Sequence, residues 1–273
     1  MDRNKSIGVF DSGFGGLSVL CLLTEKLPEY NYVYLGDTAR APYGVRTQKE
    51  IYTFTKEAIA FLVEKDCDLI ILACHTASSV ALRKIQQEYL PKHYPFKRVL
   101  GVLIPTAEKA VMVTRSGIIG ILATEGTVRS GAFVRELQKL KSDVSVLEQA
   151  CPLLVPLIEE GDVNSLTVHI TLQKYLKPLL EKRIDTLILG CTHYKLLEKA
   201  IRKIVGKKIC IVSAEEAVTK GLVHYLKRHK EIERTLAQNG NITFYSSGRT
   251  EKFNSLGSIF FGKRVLAQKA ILH

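Results

Sequence analysis

One segment of the sequence occurs twice, and each copy is a short apolar run that ends at a cysteine. The first copy spans residues 65–76 and the second spans residues 182–193. The shift of 117 positions (191 − 74) that carries Cys74 onto Cys191 also aligns the lysine and aspartate residues that precede each run. A chain with such a repeat is expected to fold into two similar halves, with one thiol at the equivalent position of each half.

Short β-branched apolar runs alternate with longer amphipathic runs, which is the pattern of βαβ units around a parallel sheet. The predicted strands are Ile7–Phe10, Tyr32–Leu35, Leu69–Ala73, Val99–Ile104, Ile118–Leu122, Val144–Glu148, Thr186–Gly190, Ile209–Val212 and Ile242–Tyr245. The predicted helices include Thr47–Glu64, Ser78–Tyr89, Ser130–Lys141, Leu166–Glu181 and Glu215–Arg228. This alternation assigns the chain to the α/β class.

The repeat extends beyond the cysteine segments. Residues 7–12 resemble residues 119–124, and residues 107–111 resemble residues 214–218. The shifts differ between these pairs, as expected for a repeat that carries loop insertions.

The two halves predict two pseudo-symmetric open parallel-sheet lobes. Ligands bind at the carboxyl ends of the strands in open parallel sheets, so the active site is expected in the cleft between the lobes. We predict a discontinuous first lobe of residues 1–98 and 209–273, and a second lobe of residues 99–208. No low-complexity linker separates the halves, so they are expected to pack tightly.

Composition and charge limit the classes of protein to which the chain can belong. At 273 residues, with 46% hydrophobic and 24% charged residues, the chain is typical of a globular protein with a full core. No apolar run approaches the length of a membrane helix, no secretory signal is visible, and six scattered cysteines favour the reducing cytoplasm. The net charge of +12 is interleaved with acids, so we expect a solvated basic surface with no membrane or specific nucleic-acid partner, able to attract an anionic substrate.

Cys74 and Cys191 are the first candidates for catalysis. Each is predicted to end a strand and begin a βα turn, where backbone N–H groups and the helix dipole lower a thiol pKa from its usual ~8.5. One thiolate can then remove a proton from a carbon while the opposite thiol returns one to the other face. A buried free cysteine is often only a small hydrophobic side chain, but duplication at two strand ends beside Thr and His favours the catalytic interpretation.

Two residues are predicted to assist the thiols. His193 could orient or protonate Cys191, and Asp11, at the end of the first strand, could do the same beside Cys74. Asp11 precedes a glycine-rich turn whose backbone amides could bind an anion. The glycines within residues 13–16 do not follow the dinucleotide-binding pattern, so the turn gives little support for a nucleotide ligand.

Two further segments carry polar groups at positions where a ligand could lie. In the loop after the second predicted strand, Asp37 could pair with Arg40, while Tyr43 and Gly44 could offer a phenol and an amide to a ligand. Glu160, in a predicted turn, could lie near a cleft histidine. Taken alone, both segments are better explained by local capping and solvation.

Two other chemistries use the same residues. Cys74 with His75, and Cys191 with His193, offer four soft metal ligands, but their spacing matches no zinc pattern. A Cys-His-Asp hydrolase or amidase needs one nucleophile and leaves the second cysteine unexplained. The pair of thiols therefore favours proton transfer over either alternative.

Several separated motifs together resemble the glutamate racemases, the cofactor-independent bacterial enzymes of the aspartate/glutamate racemase superfamily. The motifs lie at residues 8–13, 34–44, 73–78, 155–161, 190–194 and 253–262. Their order and spread over nearly the whole chain make the match specific. The resemblance implies interconversion of L- and D-glutamate at Cα by two cysteine bases, with neither metal nor pyridoxal phosphate, to supply D-glutamate for peptidoglycan.

The resemblance also implies roles for individual residues. The positions that match the family's bases are Cys74 and Cys191, and those that match the assisting residues are Asp11, Glu160 and His193. The positions that match substrate contacts are Asp11, Ser12, Tyr43, Gly44, His75, Thr76, Thr124, Thr192 and His193. It further implies that the C-terminal segment returns to the first lobe and that the protein forms a homodimer.

One position departs from the family pattern, which reads Ala-Cys-Asn-Thr-Ala-Ser where this chain has His75 in place of Asn. An imidazole is bulkier, can carry charge near neutral pH, and could donate to a carboxylate or change the pKa of Cys74. Two alternatives therefore stay open. The chain could be a racemase of the same superfamily that acts on aspartate or another amino acid, or a catalytically impaired binding protein.

Overall fold

In the computed structural model, which describes residues 4–273, parallel strands alternate with helices along the chain. The strands are β1 Ser6–Asp11, β2 Tyr32–Gly36, β3 Cys67–Leu72, β4 Arg98–Gly101, β5 Ile118–Ala123, β6 Ser145–Ala150, β7 Thr186–Gly190, β8 Cys210–Val212, β9 Ile242–Ser246 and β10 Ala267–Lys269. The helices are α1 Leu17–Lys26, α2 Gln48–Glu64, α3 His75–Lys84, α4 Leu90–His93, α5 Leu103–Val113, α6 Glu125–Ser130, α7 Ala132–Leu140, α8 Leu154–Glu159, α9 Leu166–Glu181, α10 Glu198–Val205, α11 Ala214–Arg228, α12 Lys230–Glu233 and α13 Thr250–Phe261. Short 3₁₀ helices cover Tyr43–Val45 and Thr192–Leu197, and a π-helical segment, Ile85–Tyr89, joins α3 to α4.

Each predicted strand coincides with an observed strand, with two differences. The prediction Val99–Ile104 is too long, because β4 ends at Gly101 and α5 begins at Leu103. β10 was not predicted, because its sequence Ala-Gln-Lys has no apolar run and the strand forms by backbone pairing with β9.

The two sheets share one strand order. The first sheet has the order β10-β9-β2-β1-β3-β4, and the second has the order β6-β5-β7-β8. The ladders between these strands are parallel. When β1–β4 are aligned with β5–β8, the order is the same, so the sequence repeat corresponds to a repeat of the fold. The predicted α/β class with two open parallel-sheet lobes is confirmed, and β9 and β10 return the C-terminal segment to the first lobe.

The predicted lobe boundaries are wrong at two strands. β4 pairs with β3 in the first sheet, and β8 pairs with β7 in the second, although the prediction assigned each to the other lobe. Each lobe extends to the end of its last strand, and the following helix crosses over. α5 packs against β7 and β8 of the second sheet, whereas α11 packs against α1. β4 and β8 are both short apolar runs, so their sequences do not show which sheet supplies their backbone hydrogen bonds.

The repeat extends to the backbone conformation of two non-glycine residues. Asp66 has a φ of 59° and Arg183 a φ of 56°, and the shift that aligns the cysteines also aligns these positions. Each residue lies between the end of a helix and the start of the strand that leads to a cysteine. A left-handed conformation costs a residue with a Cβ roughly 1–2 kcal/mol. Both lobes therefore contain this helix-to-strand turn, although the left-handed conformation is unfavourable for Asp66 and Arg183.

A shared hydrophobic core joins the lobes. One cluster contains Ile7 and Val9 of the first lobe together with Leu187 and Leu189 of the second, all almost fully buried. Parallel strands with helices on both faces are buried on both faces, which explains their continuous apolar runs. Within residues 4–273, no helix is long and apolar enough to span a membrane.

Replacing Arg183 by Gly is expected to stabilise the protein by about 0.5–1 kcal/mol. Glycine removes the steric cost of the left-handed conformation, and the greater entropy of its unfolded chain offsets part of that gain. Urea unfolding measures the difference. Lys182→Gly is the control, because Lys182 has a φ of −85° and its replacement should cost about 0.5–1 kcal/mol. Equal losses of stability in both variants would contradict strain at Arg183.

Candidate active site

The two cysteines of the repeat lie at equivalent ends of the two sheets. Cys74 follows β3 and caps α3, where its Sγ accepts a hydrogen bond from the Ala77 amide at 3.5 Å. Cys191 follows β7 and precedes the 3₁₀ helix Thr192–Leu197. Both side chains are buried, and both line one cavity between the lobes. The fold therefore brings two thiols that are distant in sequence to one space.

The cavity has a volume of about 20 Å³. A single water molecule needs roughly 10–15 Å³, so a ligand the size of an amino acid enters only if the lobes or their loops move apart. The predicted residues that line the cavity are Ser12, Tyr43, Gly44, Cys74, His75, Thr76, Thr124, Cys191, Thr192 and His193. The lining residues that were not predicted are Gly13, Ala41, Pro42, Val155 and Glu159.

The Cys74 thiol lies in a buried environment beside a carboxyl group. Ser12 Oγ is 3.4 Å from Cys74 Sγ, and Asp11 precedes Ser12 at the end of β1. Burial raises the pKa of Cys74 to about 12, and the nearby Asp11 adds to this effect, while the hydrogen bonds from Ser12 and Ala77 only partly oppose it. The expected lowering of this pKa by the βα turn is therefore wrong for Cys74, since burial dominates. At neutral pH, Cys74 is a thiol that can donate a proton.

Asp11 is fully buried and is bonded to both lobes. Its carboxylate accepts a hydrogen bond from the Gly13 amide at 2.8 Å and another from Thr192 Oγ1 at 3.2 Å. Burial raises the pKa of Asp11, while the charge of His193 and these hydrogen bonds act in the opposite direction. The Gly13 amide, which was expected to be available to an anion, donates to Asp11 instead.

Gly15 allows the lobes to approach each other closely. A Cβ at this position would lie 2.3 Å from Thr192 Oγ1 and 2.8 Å from the His193 amide nitrogen. Contacts under 3.0 Å are essentially never seen for a real Cβ, so no side chain fits here without displacing the second lobe. The glycine-rich turn therefore allows the two lobes to pack closely against each other.

Cys191 has a different set of partners from Cys74. His193 Nδ1 lies 3.8 Å from Cys191 Sγ, and His193 Nε2 lies 3.1 Å from Glu159 Oε1. Burial lowers the pKa of His193, but the hydrogen bonds with Cys191 and Glu159 outweigh it and raise the pKa to about 10. The ring is therefore an imidazolium at neutral pH, and it donates toward both neighbours. Phe260 of α13 packs edge-on against this ring, with centroids 5.4 Å apart.

Glu159 takes the place that was predicted for Glu160. Glu160 is exposed just after α8, whereas Glu159 is turned toward His193 and lines the cavity. The sequence predicted a turn here, but the chain is helical to Glu159, and consecutive residues of a helix point about 100° apart. The prediction chose the wrong carboxylate because the helix and its phase were not recognised.

Asp37 fixes one wall of the cavity. Tyr43 Oη donates to Asp37 Oδ2 at 2.5 Å, and Arg40 Nε donates to the same oxygen at 2.7 Å, so the predicted pair of Asp37 and Arg40 is confirmed. Ser247 Oγ donates to Asp37 Oδ1 at 2.6 Å from the segment after β9. Sequence reasoning did not find Ser247, because no local pattern connects it with a residue 210 positions earlier.

Threonine hydroxyl groups meet across the interface of the lobes. Thr76 Oγ1 of the first lobe is 2.9 Å from Thr124 Oγ1 and 3.2 Å from Thr127 Oγ1 of the second lobe. Gly44 packs against the same group, since a Cβ on Gly44 would be 2.8 Å from Thr124 Cβ. These three hydroxyl groups therefore bond to one another, and Thr76 and Thr124 also line the cavity.

His75, the departure from the family pattern, is buried next to Cys74. Its ring stacks on Phe133 of α7, with centroids 5.9 Å apart and planes 28° apart. Burial lowers the pKa of His75 to about 3, so the ring is neutral at pH 7 and lacks the charge that was considered for it. Neither ring nitrogen has a hydrogen-bond partner among residues 4–273.

The cysteines and histidines do not gather into a metal site. In the described part of the chain, no group of three or more His, Cys, Asp or Glu side chains could hold a metal ion. All six cysteines are free thiols. The cavity therefore presents Cys74 and Cys191 as separate thiols.

The structure has two parallel-sheet lobes, and each lobe brings one thiol to the shared cavity. This arrangement is that of a two-lobed enzyme with paired thiols. Residues 19–221 match the family described as Asp/Glu/Hydantoin racemase. The glutamate racemase of Geobacter metallireducens is 40% identical over 263 residues, which cover 96% of this chain and 94% of that protein.

Solved structures agree with this match. Glutamate racemase isoform RacE1 of Bacillus anthracis superimposes with a TM-score of 0.91 at 34% identity and covers 99% of both chains. The glutamate racemase of Francisella tularensis, in complex with D-glutamate, gives a TM-score of 0.88 at 30% identity and covers 100% of this chain and 98% of that one. The chain belongs to the Asp/Glu/Hydantoin racemase family, and it is a racemase.

Replacing Glu159 by Gln is expected to lower the pKa of His193 by about 1–2, because the neutral amide no longer stabilises the imidazolium. An NMR titration of the His193 ring protons measures this change. Glu160→Gln is the matched control, since Glu160 is exposed and should leave the titration of His193 unchanged. A shift in the Glu160 variant with none in the Glu159 variant would contradict the assignment.

Proposed function

We propose that the protein interconverts L- and D-glutamate by moving the Cα proton between two cysteine thiols, with no cofactor. The observation that carries the proposal is the placement of Cys74 and Cys191, which come from equivalent strand ends and line one cavity. A carbon held between them presents one face to each sulfur. Removing a proton from one face and adding a proton to the other inverts its configuration.

The two thiols have different neighbours, which supports different roles for them in the reaction. Cys74 is a protonated thiol at neutral pH because burial raises its pKa to about 12. The His193 imidazolium lies beside Cys191 and can stabilise a thiolate there. In the proposed reaction, Cys74 is therefore the first proton donor and Cys191 the first proton acceptor.

In one direction of the reaction, the Cys191 thiolate takes the Cα proton as the C–H bond on its side breaks. The electron pair of that bond remains on Cα and spreads into the α-carboxylate, and Cys74 then gives its proton to the opposite face. Cys191 is left as a thiol and Cys74 as a thiolate, which accepts hydrogen bonds from Ser12 and the Ala77 amide. This second state catalyses the reverse direction.

Glutamate is proposed as the substrate because the full-length relatives act on it. The relative from Geobacter metallireducens, which matches over nearly the whole of both chains, is a glutamate racemase, and the Francisella tularensis structure holds D-glutamate. In the same way, we propose that the protein is a cytoplasmic homodimer. We propose that it supplies D-glutamate for peptidoglycan, which supports growth of the cell wall and maintains cell shape.

His75 is the observation that favours the alternatives, because it lines the cavity at the one position that departs from the expected family pattern. Circular dichroism with a panel of L-amino acids tests them. The proposal predicts that kcat/KM for glutamate exceeds that for aspartate and the other amino acids at least tenfold. A higher value for aspartate would favour a related racemase, and no racemisation of any amino acid would favour an impaired binding protein.

Replacing either Cys74 or Cys191 by Ser is expected to slow glutamate racemisation by on the order of 10³-fold or more, because a hydroxyl group is a much weaker acid than a thiol. Circular dichroism follows the reaction from each enantiomer. Cys210→Ser is the control, because Cys210 is an exposed free thiol outside the cavity. Near-normal racemisation by either Cys74→Ser or Cys191→Ser would reject the two-thiol mechanism.

A further inference from the structure

A buried carboxyl group from α11 lies against the first turn of α1, directly after the glycine-rich turn. It belongs to Glu215, whose side chain is in the first turn of α11 and is 5% exposed. Ser18 Oγ donates to Glu215 Oε1 at 2.8 Å and to the Gly15 carbonyl oxygen at 2.9 Å. A hydroxyl group has one hydrogen, which is shared between these two acceptors. Because α11 follows β8 of the second sheet, this bond joins the end of the second lobe to the turn of the first lobe.

The contact with Gly15 fixes a peptide group next to Asp11. The carbonyl group of Gly15 and the amide group of Gly16 lie in one peptide plane, so holding the first also directs the second. A Cβ on Gly16 would lie 2.6 Å from Asp11 Cβ, so the two residues pack closely. Burial raises the pKa of Asp11, and the Gly16 amide is one of the hydrogen-bond donors that act against this rise. Neither glycine has a Cβ to restrict rotation of the peptide, so its direction depends on Ser18.

The environment of Glu215 argues against a purely structural role. Its second carboxyl oxygen, Oε2, is buried with no hydrogen-bond partner among residues 4–273. A buried polar group that is incompletely bonded lowers stability, and an apolar side chain of similar size is often neutral or stabilising at such a position. Lys195 of the second lobe faces this region. Burial lowers the pKa of Lys195, but its hydrogen bond with Glu198 and the charge of Glu215 together raise the pKa above its usual value.

We propose that Glu215 and Ser18 are positioning residues that hold the Gly15–Gly16 peptide toward Asp11. The inference rests on the proposed function, because Asp11 lies beside the Cys74 thiol and accepts a hydrogen bond from the second lobe. Glu215 orients the Ser18 hydroxyl group, the hydroxyl group holds the peptide, and the peptide amide stabilises the carboxylate of Asp11. Both residues act through other groups, since neither lines the cavity.

The ionised state of Asp11 depends on this arrangement. As a carboxylate it accepts hydrogen bonds from the Gly13 amide and the Thr192 hydroxyl, whereas protonation turns one oxygen into a donor that faces donors. The titratable groups that act on Asp11 or are affected by its charge are His193, Cys74 and Tyr34. The histidine is charged at neutral pH, and burial raises the pKa of the thiol and of the phenol, so both are neutral there. Loss of the Gly16 amide should therefore raise the pKa of Asp11, and activity should decline at a higher pH on the acidic side.

The first test compares Glu215→Met with Glu215→Gln. Methionine fills the space without an acceptor for Ser18, so kcat/KM for glutamate should fall about tenfold, while the midpoint of urea unfolding stays the same or rises. Glutamine keeps a carbonyl oxygen as acceptor and should keep kcat/KM within about threefold of the wild-type value. Glu216→Met is the matched control, because Glu216 is the exposed neighbour on the same helix and its replacement should leave kcat/KM unchanged.

The second test compares Ser18→Ala with Thr24→Ala. Both residues lie on α1, and the Thr24 hydroxyl also donates to the carbonyl oxygen three residues earlier, at 2.9 Å. Both replacements should therefore lower the midpoint of urea unfolding to a similar extent. Only Ser18→Ala should lower kcat/KM and move the acidic limb of its pH profile to higher pH, by about 0.5–1.

Two results would overturn the positioning role. One is a folded Glu215→Met variant, or a Ser18→Ala variant, with kcat/KM within about twofold of the wild-type value. The other is a loss of activity with a lowered urea midpoint and an unchanged acidic limb, which indicates a structural role alone. If Glu215→Met does not fold, Ser18→Ala decides between these outcomes. A wild-type enzyme that does not racemise glutamate would instead reject the proposed function.

Discussion

The two lobes meet where Gly15 lies against Thr192 and His193, and the geometry of the site depends on this contact. A Cβ at position 15 would overlap Thr192 Oγ1 at 2.3 Å, so any other residue would push the second lobe away. The same contact lets Asp11 of the first lobe accept a hydrogen bond from Thr192 of the second. Cys191 directly precedes Thr192, so the approach of the backbones at Gly15 sets where the second thiol lies relative to Cys74.

The repeat gives the two thiols the same backbone position but not the same electrostatic environment. Cys74 lies beside the buried carboxyl group of Asp11, and burial keeps it protonated. Cys191 lies beside His193, which Glu159 helps to keep charged. In the proposed mechanism, this difference lets Cys74 give a proton while Cys191 takes one. The proposed mechanism needs one protonated and one deprotonated thiol, and each turnover exchanges these two states.

Much of the fold and of the site could be predicted from the sequence, because both depend on a repeat that is visible in the residues. The repeat predicted two parallel-sheet lobes and placed Cys74 and Cys191 at equivalent strand ends, as the structure shows. The choice between Glu159 and Glu160 depended on the phase of a short helix. The assignment of β4 and β8 to a sheet depended on backbone pairing. The residue types of a three- or four-residue strand do not show which sheet it pairs with.

The pKa values of the site residues were harder to predict from the sequence than the positions of those residues in the fold. A βα turn suggested a lowered pKa for both thiols, but the depth of burial, which is a property of the whole fold, reverses the expectation for Cys74. In the same way, an isolated His75 suggested a group that titrates near neutral pH, whereas the packed ring against Phe133 is neutral. Local sequence indicates which groups are present, and the packing decides their protonation.

Transfer of solvent deuterium into glutamate tests the two-thiol mechanism most directly. When the wild-type enzyme acts on L-glutamate in D₂O, the first D-glutamate formed should carry deuterium at Cα, while the remaining L-glutamate keeps its proton. Two thiols on opposite faces give this result because the proton that is removed and the one that is added come from different groups. D-glutamate that retains the substrate's own Cα proton would contradict it, since a single base would then serve both faces.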